Sequence, residues 1–190
     1  MISAILLAAG QSKRMKGNNK LTKEILGSPL IKHSVTNILA SSVDELIVVL
    51  GYQNEIIQKL ISNNEKITFV FNENFEKGMA SSIKVGLNHL SENSEAFFIC
   101  LGDMPLVNSY IYNLLIKCRK KKDIIVPTYK NQQGNPVLFN KSMKEKILTI
   151  TGDNGAKKIL ELNKDKTLNL EINDLGIIKG FNTEEDFSSL

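Results

Sequence analysis

The residues in this chain whose types could do chemistry gather in a few short stretches. The first is LLAAGQSKRMKGNNK, where an apolar run ends at Ala8, Ala9 and Gly10, and a polar loop follows with Lys13, Arg14, Lys16 and Lys20 and no acid to balance them. Small residues let backbone amides approach a ligand closely, and Arg and Lys give charge-assisted hydrogen bonds to phosphate oxygens. A nucleotide phosphate chain suits such a loop, although a solvated basic turn after a first strand has the same composition. The loop is neither a GxxxxGK[ST] phosphate loop nor a GxGxxG dinucleotide fingerprint. The second stretch, LGDMPLV, delivers Asp103 at the end of an apolar run, with Pro105 turning the chain away. Its carboxylate suits magnesium, and equally suits the cap of a following helix. In the third, NENFEKGMASSIKVGL, Gly78 precedes a helix whose first turn holds Ser81 and Ser82. Hydroxyls and free amides there fit ribose, base or phosphate, or plain capping. GNPVLF with Asn135 and GDNGAKK with Asp153, Lys157 and Lys158 set polar groups beside glycines, and neither names a ligand alone.

The elements that must position these residues follow from hydrophobic spacing. Ile2 to Leu7, Leu46 to Leu50, Thr68 to Phe71, Phe97 to Leu101 and Ile124 to Val126 read as strands buried on both faces. Between them run helical stripes: Ile31, Val35, Ile38 and Leu39; Ile56, Ile57, Leu60 and Ile61; Met79, Ile83, Leu87 and Leu90; Leu114, Leu115 and Cys118. Such alternation, with right-handed crossovers, predicts an α/β fold with a mainly parallel sheet and helices on both faces. After Pro127 the rhythm changes. Pro136 to Phe139 reads as a short strand, a helix opens near Asp153, and Thr167 to Ile172 is extended, so mixed strand directions are expected there. Sheets of this class bind ligands beyond the carboxyl ends of their strands, which is where Asp103 falls.

Composition narrows the class. The chain has 190 residues, 42% hydrophobic and 23% charged, without repeats or linker-like segments. One domain over 1–190 is expected, long enough to bury roughly two thirds of its unfolded surface. The net charge is +4, and its densest run, KCRKKKD from Lys117 to Asp123, falls where a helix ends and cations are favoured by the helix dipole. With no aromatic platform and no binding motif beside it, no nucleic-acid partner is expected. Cys100 and Cys118 form neither a CxxC nor a disulfide framework, and two histidines add no zinc pattern. The N-terminal apolar run is too short for a bilayer and carries its basic residues on the wrong side for a signal peptide. A cytoplasmic protein without membrane contact is expected.

Taken in order, AAGQSKRM, Lys20, GSPL at Gly27, GMASS, LGDMPLV, GNPVLF and GDNGAK resemble the molybdenum cofactor cytidylyltransferases, from Leu6 to about Asp186. The broader group is the nucleotidyltransferases of the nucleotide-diphospho-sugar transferase type. The resemblance implies a three-layer α/β/α sandwich with a Rossmann-like, mostly parallel sheet. It implies transfer of CMP from CTP to the terminal phosphate of molybdopterin, giving the cytosine dinucleotide cofactor and pyrophosphate, with a molybdenum hydroxylase apoenzyme as recipient. Carried over residue by residue, the backbone of Ala8, Ala9 and Gly10 would hold base and phosphates. Arg14 and Lys20 would neutralise the triphosphate, and Asp103 would bind Mg2+. Gly78 and Ser82 would face base and ribose, while Asn135 and Asp153 would belong to the molybdopterin side.

Three departures from the family pattern matter. One extra residue at Lys16-Gly17 separates Arg14 from Lys20. Near the C-terminus the family pattern D-x-D-T-P-E-D becomes Gly180-Phe181-Asn182-Thr183-Glu184-Glu185-Asp186. Asn182 would then be the second metal ligand, binding a hard cation less strongly than a carboxylate. In GDNGAKK, Lys157 replaces the family's arginine and loses its bidentate geometry. A phosphate monoester acceptor with a second pKa of about 6 needs no general base, so the absence of a Ser-His-Asp or Cys-His set is expected. Two alternatives stand beside this reading. One is a GTP-dependent guanylyltransferase or a sugar-phosphate nucleotidyltransferase. The other is a non-catalytic nucleotide-binding accessory protein for molybdenum enzymes.

Overall fold

A computed structural model describes residues 1–15, 19–152 and 156–188. Its spine is a mixed sheet in the order β10-β7-β9-β6-β1-β4-β5. The strands are β1 (Ile2–Ala8), β4 (Glu45–Leu50), β5 (Ile67–Phe71), β6 (Ala96–Leu101), β7 (Ile124–Tyr129), β9 (Val137–Asn140) and β10 (Thr167–Glu171), with a short β8 (Gln132–Gln133) paired to β7. A separate hairpin joins β2 (Glu24–Ile25) to β3 (Ser28–Pro29). β1 pairs in parallel with β4 and β6, β4 with β5, and β7 with β10. Within this main sheet, among the described residues, only β8 and β9 run against their neighbours. Lys130 and Asn131, both at positive φ, form the two-residue turn that reverses the chain between β7 and β8.

The apolar runs sit at the centre because each strand there is covered on both faces. Side chains alternate across a strand, so Ala4 and Leu6 of β1 enter one core while Ile5 enters the other. The first core is closed by α1 (Leu30–Leu39), α2 (Asn54–Leu60) and α4 (Ser109–Cys118) through Ile31, Val35, Ile57, Ile111 and Leu115. The second is closed by α3 (Met79–Asn88), α5 (Lys144–Leu148) and α6 (Lys157–Leu162) through Ile83, Leu87, Ile147 and Ile159. This is the three-layer α/β/α sandwich. A last short helix, α7 (Glu184–Ser188), follows the sheet. Among the described residues no helix is long and apolar enough to cross a membrane.

The expected stripes are trimmed at their ends. Ile57 is buried but Ile56 is 49% exposed, and Met79, first in its helix, is 38% exposed. Both faced the helix surface rather than the core, and period alone places a stripe without fixing its edges. The last third is mixed as expected, with β9 inserted antiparallel between β6 and β7. The helix expected near Asp153 begins at Lys157, and Asp153 itself lies outside the described residues.

Candidate functional site

The loop after β1 is folded on itself by two small polar side chains. Asn19, nearly fully buried, accepts from the Leu21 N–H at 3.1 Å, and the Ser12 hydroxyl accepts from the Lys20 N–H at 3.1 Å. Ser12 takes a positive φ of 51° to do so. On the other side, Gly51 packs so tightly that a Cβ there would lie 2.8 Å from both the carbonyl oxygen and the Cβ of Ala9. The loop is thereby fixed at both ends, and Lys20 is set at the mouth of the sheet. Lys16 and Gly17, where the chain has its extra residue, lie outside the described residues.

Asp103 stands just past β6 and is braced from three directions. The Gly102 N–H donates to the Leu7 carbonyl at 3.1 Å. From α1, the Ser34 hydroxyl donates to the Gly102 carbonyl at 3.0 Å and the Asn37 amide to the Pro105 carbonyl at 2.9 Å. The Phe181 N–H donates to the carbonyl of Asp103 itself at 2.9 Å. Asp103 does not cap α4; that cap is Asn108, whose side chain accepts from the Ile111 N–H. Its carboxylate is left to face Lys20.

Four side chains then meet. The Lys20 ammonium donates to Asp103 Oδ2 and, at 2.9 Å, to Asn182 Oδ1. Arg14 donates to the same Asn182 oxygen at 2.9 Å. Lys20 and Asp103 keep only 18% and 15% of their side-chain surface exposed, so this ion pair is far better shielded than a surface pair. Asn182 is held from behind by Asp186, whose Oδ2 accepts from the Asn182 N–H at 2.8 Å and the Thr183 N–H at 2.9 Å. Those two amides, followed by nearby Lys179, hold the Asp186 carboxyl down at about 2. Phe181, fully buried, packs edge-on against Phe187 of α7 and pins the segment to the core.

Beside this cluster opens a cleft of about 310 Å³ lined by Ala9, Gly10, Lys13, Lys20, Gly78, Ser82 and Asp103, with Leu7, Gln11, Phe75, Glu76 and Leu101 among the rest. Gly78 has φ 99° and ψ 175°, a conformation side chains rarely adopt, and this lets the chain enter α3 along the cleft. Ser82 is buried and accepts from the fully buried Asn72 amide at 2.9 Å. Ser81 accepts from the same Asn72 amide at 2.8 Å and donates to the Gly78 carbonyl at 2.8 Å. Lys13 also lines the cleft. Ala8 is buried behind the loop. Asn135 does not line the cleft: it precedes β9 at the same edge of the sheet as Leu101, its N–H donating to the Ile177 carbonyl at 2.8 Å. Lys157 and Lys158 are exposed at the start of α6.

Sequence reasoning missed Asn72, Gln11, Phe75 and Glu76. Gln11 donates to Glu76 at 2.9 Å, joining the loop to the turn before Gly78. No spacing rule flags such pairs, because they depend on two loops meeting 65 residues apart in sequence.

The donor set suits a hard divalent cation. The oxygens of Asp103 and Asn182 converge on one point, marked by the Lys20 ammonium, and magnesium-like ions take one or two such protein oxygens together with phosphate oxygens and water. Among the described residues no group of three or more His, Cys, Asp or Glu is placed to hold a metal ion.

Comparisons with known proteins agree with this architecture. Residues 4–168 match the family model described as the MobA-like NTP transferase domain. The bifunctional protein GlmU of Staphylococcus epidermidis is 28% identical over 115 residues, which is 60% of this chain and 25% of that protein. The chain thus matches about a quarter of that curated relative's length. Among solved structures, Rv0371c of Mycobacterium tuberculosis superposes with a TM-score of 0.87 at 21% identity, covering 98% of this chain and 95% of that one. The same protein has been solved as a complex with manganese. The 4-diphosphocytidyl-2C-methyl-D-erythritol synthase of Anaerococcus prevotii superposes at 0.81 with 19% identity, covering 99% and 93%. At these identities the superpositions establish the fold.

Proposed function

The chain belongs to the MobA-like NTP transferase domain family, and on that footing we propose that it is a nucleotidyltransferase moving CMP from CTP to the terminal phosphate of molybdopterin bearing molybdenum, with release of pyrophosphate. The single observation that carries this reading is the convergence of Lys20, Asp103 and Asn182 beside the cleft formed by the loop at Ala9 and Gly10. That arrangement supplies cations and oxygen donors where a triphosphate needs them, and the family match supports nucleotidyl transfer as the chemistry.

The reaction asks little of acid-base groups. A phosphate monoester oxygen of the acceptor, dianionic above a second pKa of about 6, attacks the α-phosphorus of CTP in line. A phosphorus-oxygen bond forms to the acceptor, the bond from the α-phosphorus to the bridging oxygen breaks, and pyrophosphate departs with the electron pair. Arg14, Lys20 and Lys13 neutralise the charge that builds on the leaving pyrophosphate, while the small residues Ala9 and Gly10 let backbone amides close on the nucleotide. Ser82 and Gly78 bound the part of the cleft for base and ribose. Mg2+ is the proposed cofactor: held by Asp103 and Asn182, it would supply further charge neutralisation at the phosphates. Asn135, set at the same sheet edge but outside the cleft, and Asp153 are proposed for the acceptor side.

A second reading keeps the chemistry and changes the acceptor. The likeness to a 4-diphosphocytidyl-2C-methyl-D-erythritol synthase supports cytidine as the base while leaving a smaller phosphorylated alcohol or sugar phosphate as the nucleophile. Pyrophosphate release from CTP, GTP, UTP and ATP, each with molybdopterin or with sugar phosphates, separates the two. Release that requires CTP and molybdopterin together supports the first reading, and release with CTP and a sugar phosphate alone supports the second.

A further inference from the structure

Asp186 does no chemistry in the reading above, yet the site depends on how it is placed. It is the third residue of α7, and its carboxylate turns back to the amides that flank the Asn182 α-carbon, those of Asn182 and Thr183. The Thr183 hydroxyl adds a contact at 3.2 Å, and Lys179 sits 3.3 Å from the other carboxylate oxygen. A carboxylate three residues into a helix ordinarily reaches only the cap residue's own amide. Here it also takes the amide before the cap, so the peptide planes on both sides of Asn182 are fixed. The side chain is then fixed too: its nitrogen packs over Gly180, where a Cβ would stand 3.1 Å away, and its oxygen points to Arg14 and Lys20.

We propose that Asp186 is a positioning residue that aims the Asn182 amide oxygen at the cation site, so that its loss is felt in metal affinity before nucleotide affinity. The proposal rests on the reading of the cleft as a nucleotidyl-transfer site. An exposed helix cap would contribute only to stability. A group that orients a metal ligand from behind typically changes metal affinity by roughly 10-fold to 100-fold when removed.

The test is a Mn2+ titration of the full chain with CTP present, run on wild type, Asp186→Ala, Asp186→Asn, Asn182→Ala and the Asp186→Ala/Asn182→Ala double variant, alongside CTP binding without metal. Asp186→Ala should weaken Mn2+ by roughly 10-fold or more while CTP binding without metal stays near wild type. Asp186→Asn, which keeps an oxygen for the two amides, should recover most of that loss. The double variant should bind Mn2+ no worse than Asn182→Ala alone, because the two residues act through one oxygen. Wild-type Mn2+ affinity in Asp186→Ala, equal loss of Mn2+ and CTP affinity, additive losses in the double variant, or no Mn2+ binding by wild type with CTP would each overturn it. If melting shows that Asp186→Ala does not fold, Asp186→Glu, which keeps the charge and displaces the oxygens, takes its place with the same expected loss. The transfer reading fails separately, if wild type releases no pyrophosphate with any nucleotide and acceptor; the Mn2+ titration still decides the role of Asp186.

Discussion

The amide oxygen of Asn182 accepts a hydrogen bond from Lys20 at 2.9 Å, joining residues 162 positions apart in the chain. The loop after β1 and the turn before α7 thus meet over Asp103. A neutral amide therefore lies among two cations and one carboxylate.

Removal of either charged partner should stop the chemistry. Asp103→Ala takes away a proposed metal oxygen and leaves the shielded Lys20 without its counterion. Lys20→Ala takes away a phosphate cation. Steady-state pyrophosphate release should fall roughly 100-fold to 1,000-fold or more in each, the range seen when one transition-state donor is lost. Near-normal turnover in Asp103→Ala would sink its assignment to the metal.

Asn182→Asp restores a carboxylate where the resembled family has one. Two cations already face this position, so the new charge is compensated. Because ligand charge tunes divalent-cation affinity, Mg2+ titration of turnover should show half-saturation at roughly ten-fold lower metal. An unchanged midpoint would place the cation elsewhere.

Much of this site could be read before the fold was known, and the reasons are local. Asp103 ends a buried strand, Gly78 opens a helix, and Lys20 follows a break in an apolar run; each carries its signal in a few neighbouring residues. The strand order in the last third was legible only as a change of rhythm, since β9 is placed by pairing with Phe97 and Phe98 across some forty residues rather than by its own four. The Gln11–Glu76 pair was not legible because it joins two loops, and Asn72 was not because its partner Ser82 lies in the next helix, α3. Asn182 was visible only as a departure from a motif, and its meeting with Arg14 and Lys20 is a property of the fold.

Packing behind the cleft gives a stability prediction. A Cβ on Gly86 would fall 2.3 Å from Ile5 Cγ2, and Ile5 is fully buried in β1. Gly86→Ala must push α3 off the sheet, which should cost about 1–3 kcal/mol in denaturant unfolding despite alanine's better helix propensity. The same shift moves Ser82, so CTP binding should weaken with it. A variant as stable as wild type would mean that α3 is not packed this closely.

Cys100 and Tyr112 together shape the behaviour in base, burial raising the thiol and pushing the phenol well above its ordinary value. Burial pushes the Cys100 thiol from 9.0 to about 12, opposed in part by a hydrogen bond with Tyr112. A group whose folded pKa is raised keeps its full contribution below the unfolded value, and loses it as pH rises towards the folded one. The Cys100 contribution should therefore be constant below pH 9 and be lost between pH 9 and about 12, and Cys100→Ala should lessen the alkaline decline, leaving the part due to Tyr112. In the native protein Cys100 should not react with a thiol reagent at pH 8, since the thiolate is the reactive form and the side chain is 1% exposed. Rapid modification of Cys100 under native conditions would contradict the packing of β6.

The central claim is that this cleft transfers CMP to a pterin phosphate, and the most direct measurement is pyrophosphate release by the wild-type protein with CTP and Mg2+, with and without molybdenum-bearing molybdopterin. The account predicts release that depends on all three and is far smaller with GTP, UTP or ATP. Release that is indifferent to molybdopterin, or CTP binding with no release under any acceptor, would contradict it.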